Sequence, residues 1–167
     1  IESDLIEDIN ILGFVGLNNI NIYGGTRTGS VAPYTYTHYT ITGKMNFDGT
    51  TKRINFTYGK YFPSVAGTGP SDCTSFGTKS QYIYFRECYI SARVAGTTNY
   101  NTSCASANDN SLMYFSNVHF QDWRTQAVRA ANFGKVVLEN CTGSTTQANA
   151  IAGVATGGGA IVNMNTT

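Results

Sequence analysis

Few groups in this chain could do chemistry, and their placement narrows what that chemistry would be. Four of the ten acids, Glu2, Asp4, Glu7 and Asp8, crowd into the first eight residues. The remainder are Asp48, Asp72, Glu87, Asp109, Asp122 and Glu139. Glycoside hydrolysis generally uses two carboxylates about 5–9.5 Å apart. A polysaccharide lyase needs a base and a way to neutralise a uronate. Asp122 lies in His119-Phe120-Gln121-Asp122-Trp123-Arg124, beside the only tryptophan. That run suits sugar binding, with Trp123 stacked on a pyranose face and Asp122, Arg124 and His119 near its hydroxyls. It suits also a structural corner in which Trp123 caps a core and Asp122 pairs with Arg124. Asp72 and Asp109 stand in loops and would join the catalytic candidates only if those loops meet. No CxxC motif or His/Cys cluster occurs, so neither a metal nor another cofactor is expected.

The elements that must position these groups are strands. With 167 residues the chain can bury the core of one domain. Thr (22), Gly (18) and Asn (16) make up about a third of it, and charged residues only 13%. Helix formers are correspondingly scarce, which excludes helical bundles and coiled coils. The 11 Tyr and 9 Phe exclude a disordered chain. A net charge of +1 gives no pull toward nucleic acid. No apolar run approaches the roughly 18 residues that membrane insertion by a helix requires. An acidic segment, residues 1–8, precedes a domain over 9–167. The start at Ile1 reads as a processed or excised piece of a longer chain.

A repeat gives these strands an order. With Φ for an apolar residue, Leu17-Asn18-Asn19-Ile20-Asn21-Ile22 has the form Φ-x-N-Φ-x-Φ, as does Phe115-Ser116-Asn117-Val118-His119-Phe120. Phe85 to Ile90 fits with Glu87 in the Asn place, while Leu138-Glu139-Asn140-Cys141 and Ile161-Val162-Asn163-Met164 carry its first four positions. Phe115, Leu138 and Ile161 are spaced by 23 residues, and Phe85 precedes Phe115 by 30, which implies a longer loop. At the same offset, Ala127-Val128 matches Ala150-Ile151 and Gly134 matches Gly157. Between Leu17 and Phe85 the repeat blurs; Ile41–Phe47 and Ile54–Tyr58 read as strands, and an insertion interrupts the spacing. Such strands are too short to bury an apolar face alone, but stacked coils, about 4.8 Å apart, bury a continuous core. The pattern predicts an all-β fold, a right-handed parallel β-helix of about 23-residue coils; a β-sandwich with Asn-containing turns is the alternative. Asn19, Asn117, Asn140 and Asn163 would be its bends, since Asn tolerates left-handed backbone and can hydrogen-bond from coil to coil.

Alternation assigns faces. Ile83, Phe85, Cys88 and Ile90 would point inward, as would Met113, Phe115, Val118 and Phe120, then Val136, Leu138 and Cys141, then Ile161 and Met164. Tyr84, Tyr114 and Val137 would form an outward apolar stripe. That stripe is a carbohydrate platform, a subunit contact, or simply a row of favoured strand residues. The longest irregular stretches, 62–80 and 95–111, lie on one flank, where insertions often carry binding; Tyr58, Tyr61, Phe62, Tyr100 and Asn101 are the candidates there. Cys88 and Cys141 would be two coils apart, about 9.6 Å, too far for a disulfide. Cys73 and Cys104 lie in loops that could meet, so a pairing stays open. The last repeat match ends with no capping element, so a larger parent chain or a partner is expected to cover that end.

This repeat, together with the opening Ile11-Leu12-Gly13-Phe14-Val15-Gly16-Leu17-Asn18-Asn19-Ile20-Asn21-Ile22-Tyr23-Gly24, resembles the pectin-lyase-type β-helices. The low charge and the wealth of Thr, Asn, Gly and Tyr most resemble bacteriophage tailspike and tail-fibre domains. The resemblance implies a homotrimer within a phage tail protein with other domains, located extracellularly on the virion tail. It implies attachment to a bacterial surface glycan, with cleavage of that polysaccharide or a purely structural shaft as the alternatives.

Overall fold

The computed structural model describes residues 4–15, 18–28, 35–67 and 72–164. The first coil is β1 (Leu5–Ile6), β2 (Ile9–Leu12) and β3 (Ile20–Tyr23), followed by a hairpin, β4 (Gly25–Thr28) and β5 (Thr35–His38). The second is β6 (Thr40–Thr42), β7 (Met45–Asp48) and β8 (Ile54–Thr57), and the third β9 (Lys60–Phe62), β10 (Cys73–Thr78) and β11 (Ile83–Arg86). The fourth is β12 (Tyr89–Ser91), β13 (Ser103–Asn108) and β14 (Leu112–Ser116), and the fifth β15 (His119–Gln121), β16 (Gln126–Ala131) and β17 (Lys135–Glu139). The sixth is β18 (Thr142–Ser144), β19 (Ile151–Thr156) and β20 (Ala160–Asn163). Each coil gives one strand to each of three six-stranded sheets. Sheet A takes the first strand, sheet B the second and sheet C the third, and all their pairings are parallel. The fold is a β-solenoid of stacked parallel sheets. The insertion expected early in the chain is the antiparallel β4–β5 hairpin.

The alternation explains the core. Ile54, Phe56, Ile83, Phe85, Met113 and Phe115 are fully buried on sheet C, while the residues between them face outward. Stacking repeats each inward side chain about every 4.8 Å, so like sits on like. Phe56, Phe85 and Phe115 form a column of parallel rings with centroids 4.9 and 5.2 Å apart. Tyr61 stands at right angles to it, edge-on to Phe56 and Phe85.

Left-handed residues turn the chain between sheets. From C to A these are Tyr58 (φ 64°), Glu87 (51°), Asn117 (52°) and Asn140 (50°). Each of the first three donates its amide to the carbonyl before the next bend, and Gly24 does the same in the first turn. From B to C the column is Gly13, Gly49, Lys79, Asp109, Asn132 and Gly157.

The expected repeat needs three corrections. Ile22, not Leu17, aligns with Phe56 and hence with Phe85; Leu17 itself lies outside the described residues, and Asn19 is not a bend. The Phe85-to-Phe115 and Phe115-to-Leu138 spacings hold, but Val136 pairs with Ile161 and Leu138 with Asn163, an offset of 25. The connection 145–150 is two residues longer than 122–125, and that moves the register. Ala127-Val128 therefore aligns with Ala152-Gly153, Gly134 matches Gly159, Asn163 is a strand residue, and Met164 is 49% exposed rather than inward. The shift is even, so it leaves Ile161 facing inward. Thirdly, among the described residues Asn–Asn hydrogen bonds occur on outward strand rows, Asn46 to Asn10 (2.8 Å) and Asn55 to Asn21 (2.7 Å), and not at the bends.

None of the four cysteines lies in a disulfide. Cys73 donates to the Ser75 carbonyl and Cys104 to the Gln121 carbonyl. Burial pushes Cys73 and Cys88 up to about 12 and Cys104 higher still, so they pack as small apolar groups.

Candidate functional site

The outer face of sheet C carries a groove of about 610 Å³. Parallel register builds it: Asn21, Asn55, Tyr84, Tyr114 and Val137 lie in one row across β3, β8, β11, β14 and β17. The neighbouring row is Tyr23, Thr57, Arg86, Ser116 and Glu139. The rings of Tyr84 and Tyr114 stack, with centroids 5.2 Å apart. Arg53 covers the other face of Tyr84, its guanidinium carbon 4.0 Å from the ring centroid. Tyr114 Oη donates to Glu139 Oε2 at 2.8 Å. Hydrogen bonds from Tyr114 and Ser116 hold the Glu139 carboxyl below its ordinary value, and the same bond raises the Tyr114 phenol.

This geometry refines the expected stripe. Tyr84 and Tyr114 stand where the repeat put them, but a stacked column spends ring faces on its own neighbours. What the groove presents is ring edges, hydroxyls, amides and guanidinium groups. Val137 is only 8% exposed, so the row is not an open apolar stripe. Among the described residues the ion pair is Arg93 Nη1 with Asp122 Oδ2, at 3.9 Å. Arg53 and Arg86 therefore line the groove without a carboxylate at ion-pair distance.

The other expected residues scatter. Trp123 is 7% exposed and belongs to the core cluster, so its ring is no platform for a sugar. It closes the core at the A-to-B corner, against Gly143. Asp122, a left-handed residue (φ 57°), pairs with Arg93 and not with Arg124, whose backbone amide bonds to the Asn101 carbonyl. Tyr61 is a fully buried core residue of β9, not a loop contact. Phe62 packs on Tyr89, with centroids 5.7 Å apart. Tyr100 bridges Arg93 in a small antiparallel turn, and Asn101 is buried, tying Gly67 by its side chain. His119 is outward on sheet A, stacked on Tyr89 at 5.4 Å and bonded to Thr142. It borders a second groove of about 530 Å³ with His38, Lys60, Glu87, Tyr89 and Asn117.

Asp72 and Asp109 do not meet. Asp72 precedes β10 and Asp109 follows β13, whose register pairs Cys73 with Ser103 and Thr78 with Asn108. The two acids are thus at opposite ends of neighbouring strands, about 20 Å apart at the rise of a strand. Asp109 is held by Thr78 and Asn132. Asp72 instead shares a cavity of about 180 Å³ with Asp8 and Lys44, smaller than the roughly 300–1,000 Å³ of ligand clefts.

Arg53, Arg86, Asn21 and Asn55 were not anticipated. For Arg53 and Asn55 the signal is the outward alternation Arg53-Asn55-Thr57, hidden because the repeat blurs before Phe85; Arg86 was legible as the outward residue two places after Tyr84. Comparisons with protein-family models, curated proteins and solved structures find no match.

Proposed function

We propose that this chain is the attachment module of a phage tailspike or tail fibre, and that it binds a bacterial surface polysaccharide in the sheet C groove. The observation that carries the reading is the groove itself: two stacked tyrosines flanked by Arg53, Arg86, Asn21 and Asn55, in a cleft of about 610 Å³. Amide, phenol and guanidinium donors at fixed spacing suit the hydroxyls of a glycan chain. The solenoid sets one amide or phenol of this row on each of its first four coils, at the coil spacing, which suits a repeating ligand. In this reading the solenoid is a right-handed parallel β-helix, assembles as a homotrimer with other domains of the tail protein, and works outside the cell on the virion.

Cleavage is the less favoured reading. Glu139 is the only acid among the described residues lining that groove, whereas hydrolysis generally uses two. The Asp8–Asp72 cavity is too small for a sugar chain. The test is binding of the intact protein to a panel of purified capsular polysaccharides and lipopolysaccharides, followed by chain-length analysis. Binding without shortening is expected, together with a loss of at least tenfold in the Tyr84→Ala/Tyr114→Ala double variant. Shortening of the glycan would establish the enzyme instead. A stable protein that binds none of the panel would leave the structural shaft.

A further inference from the structure

The B-to-C corner carries an aromatic residue that the fold does not require there. At this corner successive coils place two left-handed residues in a row: Asp109 and Asn110 (φ 48° and 64°), Asn132 and Phe133 (49° and 62°), Gly157 and Gly158 (55° and 76°). Asn and Gly accept that backbone readily, whereas a bulky aromatic is strained in it. Strain of this kind is normally offset by burial, yet Phe133 is 69% exposed. Its ring rests on Gly158: a Cβ built there would fall 2.6 Å from Phe133 Cε1. The missing side chain of the next coil gives the ring its bed and leaves the opposite face to solvent.

A second strained aromatic joins it. Tyr82 has φ 63° and is 44% exposed. Tyr82 and Phe133 border one surface groove of about 320 Å³, rimmed by Gln81, Asn110 and Lys135. Tyr82 immediately precedes β11 and is in line with Leu112 and Lys135, while Phe133 lies two residues before Lys135, so the two backbones stand two coil spacings apart along the axis and two residues apart along the strand, roughly 12 Å in all. That is the scale of two linked sugar residues.

From this geometry we infer that Phe133 and Tyr82 form a second carbohydrate site, a stacking platform for an uncharged pyranose chain running along the solenoid axis. The apolar C–H faces of the sugars lie on the two rings, while Gln81, Asn110 and Lys135 hydrogen-bond the hydroxyls. Retaining exposed aromatics in strained backbone is the mark of residues kept for contact rather than for stability. The inference rests on the reading of the molecule as a glycan binder, but uses a different surface from the sheet C groove, where ring faces are already occupied.

The probes are methyl β-galactopyranoside and methyl β-glucopyranoside, each titrated against the intact protein while the aromatic resonances are followed by NMR. Saturable shifts are expected at the Phe133 and Tyr82 rings. In Phe133→Gly, apparent affinity at this site should fall roughly fivefold to tenfold, the worth of the ring area a sugar would cover. Because glycine suits this backbone, that variant should melt no lower than the parent, which separates lost contact from lost fold. Phe133→Trp should restore binding. No saturable shift at Phe133 with either sugar overturns the proposal. Shifts confined to Tyr84 and Tyr114 overturn it while leaving the sheet C reading intact; shifts confined to Phe133 and Tyr82 do the reverse. A protein-concentration-dependent shift at Phe133 without sugar would mark a contact between copies, and so also overturn it.

Discussion

Glu87 shows how one position serves two demands poorly. It holds a left-handed bend that Asn117 and Asn140 hold in later coils, a backbone that Glu adopts less readily than Asn. Its Oε2 is buried with no hydrogen-bond partner among the described residues. Each defect costs on the order of 1 kcal/mol, so Glu87→Asn should raise unfolding free energy by about 1 kcal/mol in urea denaturation. A decrease would mean that the carboxylate has a role in the His38–Lys60–His119 groove it borders. At Glu139 the sign runs the other way. Its folded carboxyl is held below the ordinary value by Tyr114 and Ser116. The ionised form is thus favoured by folding, and that contribution is present above the unfolded pKa and lost as pH falls through the folded one. Tyr114, raised by the same bond, loses its part as pH rises through the phenol's folded pKa. Carboxyl-carbon NMR of Tyr114→Phe should show Glu139 titrating at higher pH than in the parent. An unchanged titration would show that Tyr114 does not hold it in solution.

Elements here are stabilised across coils more than within them. Strands of two to six residues have no independent stability, so inward columns carry the fold. Phe85 is the middle ring of the Phe56–Phe85–Phe115 column and also meets Phe47 and Tyr61. Phe85→Ala should cost about 3–5 kcal/mol in equilibrium denaturation. A loss below about 1 kcal/mol would mean that the neighbouring coils collapse into the cavity. Such columns explain what could be read without coordinates. Φ-x-N at Phe115 and Leu138 was legible because neighbouring coils repeat both apolar spacing and bend chemistry, so Asn117 and Asn140 were found, and Tyr84 and Tyr114 with them. Asn19 and Asn163 were misplaced because Asn is also a common outward residue here, as Asn10, Asn21, Asn46 and Asn55 show. In the early coils Gly24 and Tyr58 take the Asn place, which erased the motif where Arg53 and Asn55 enter the groove. Tyr61 was read as a ligand contact, and Trp123 as either a sugar platform or a cap on the core, since an aromatic in a loop-like sequence looks the same whether it closes a core or meets a sugar. Only three-dimensional closure decides between them.

Along the whole molecule the core is uneven, and that sets where it should open. Toward the sixth coil the inward column thins: Phe120 is followed by Gly143, Val128 by Gly153 and Leu138 by Asn163. Ile151 is 50% exposed and Ile161 only partly buried, whereas the inward residues of β13 and β14 are fully buried. A solenoid's stability is close to a sum of coil and interface contributions, so a coil with less apolar area and a single described neighbour should be the first to unfold locally. Hydrogen exchange followed by mass spectrometry tests this directly. Amides of β19 and β20 that bond to the fifth coil should exchange well before those of β13 and β14, although all are paired in parallel ladders of similar register. If the sixth coil is as protected as the fourth, another surface must cover it in solution. A homotrimer that does so would show protection rising with protein concentration, and a monomer would not. The same measurement on Phe133→Gly gives an internal control. Its B-to-C corner belongs to the fifth coil and rests on Gly158 of the sixth, so relief of backbone strain there should leave the sixth coil no less protected even as the exposed ring is lost.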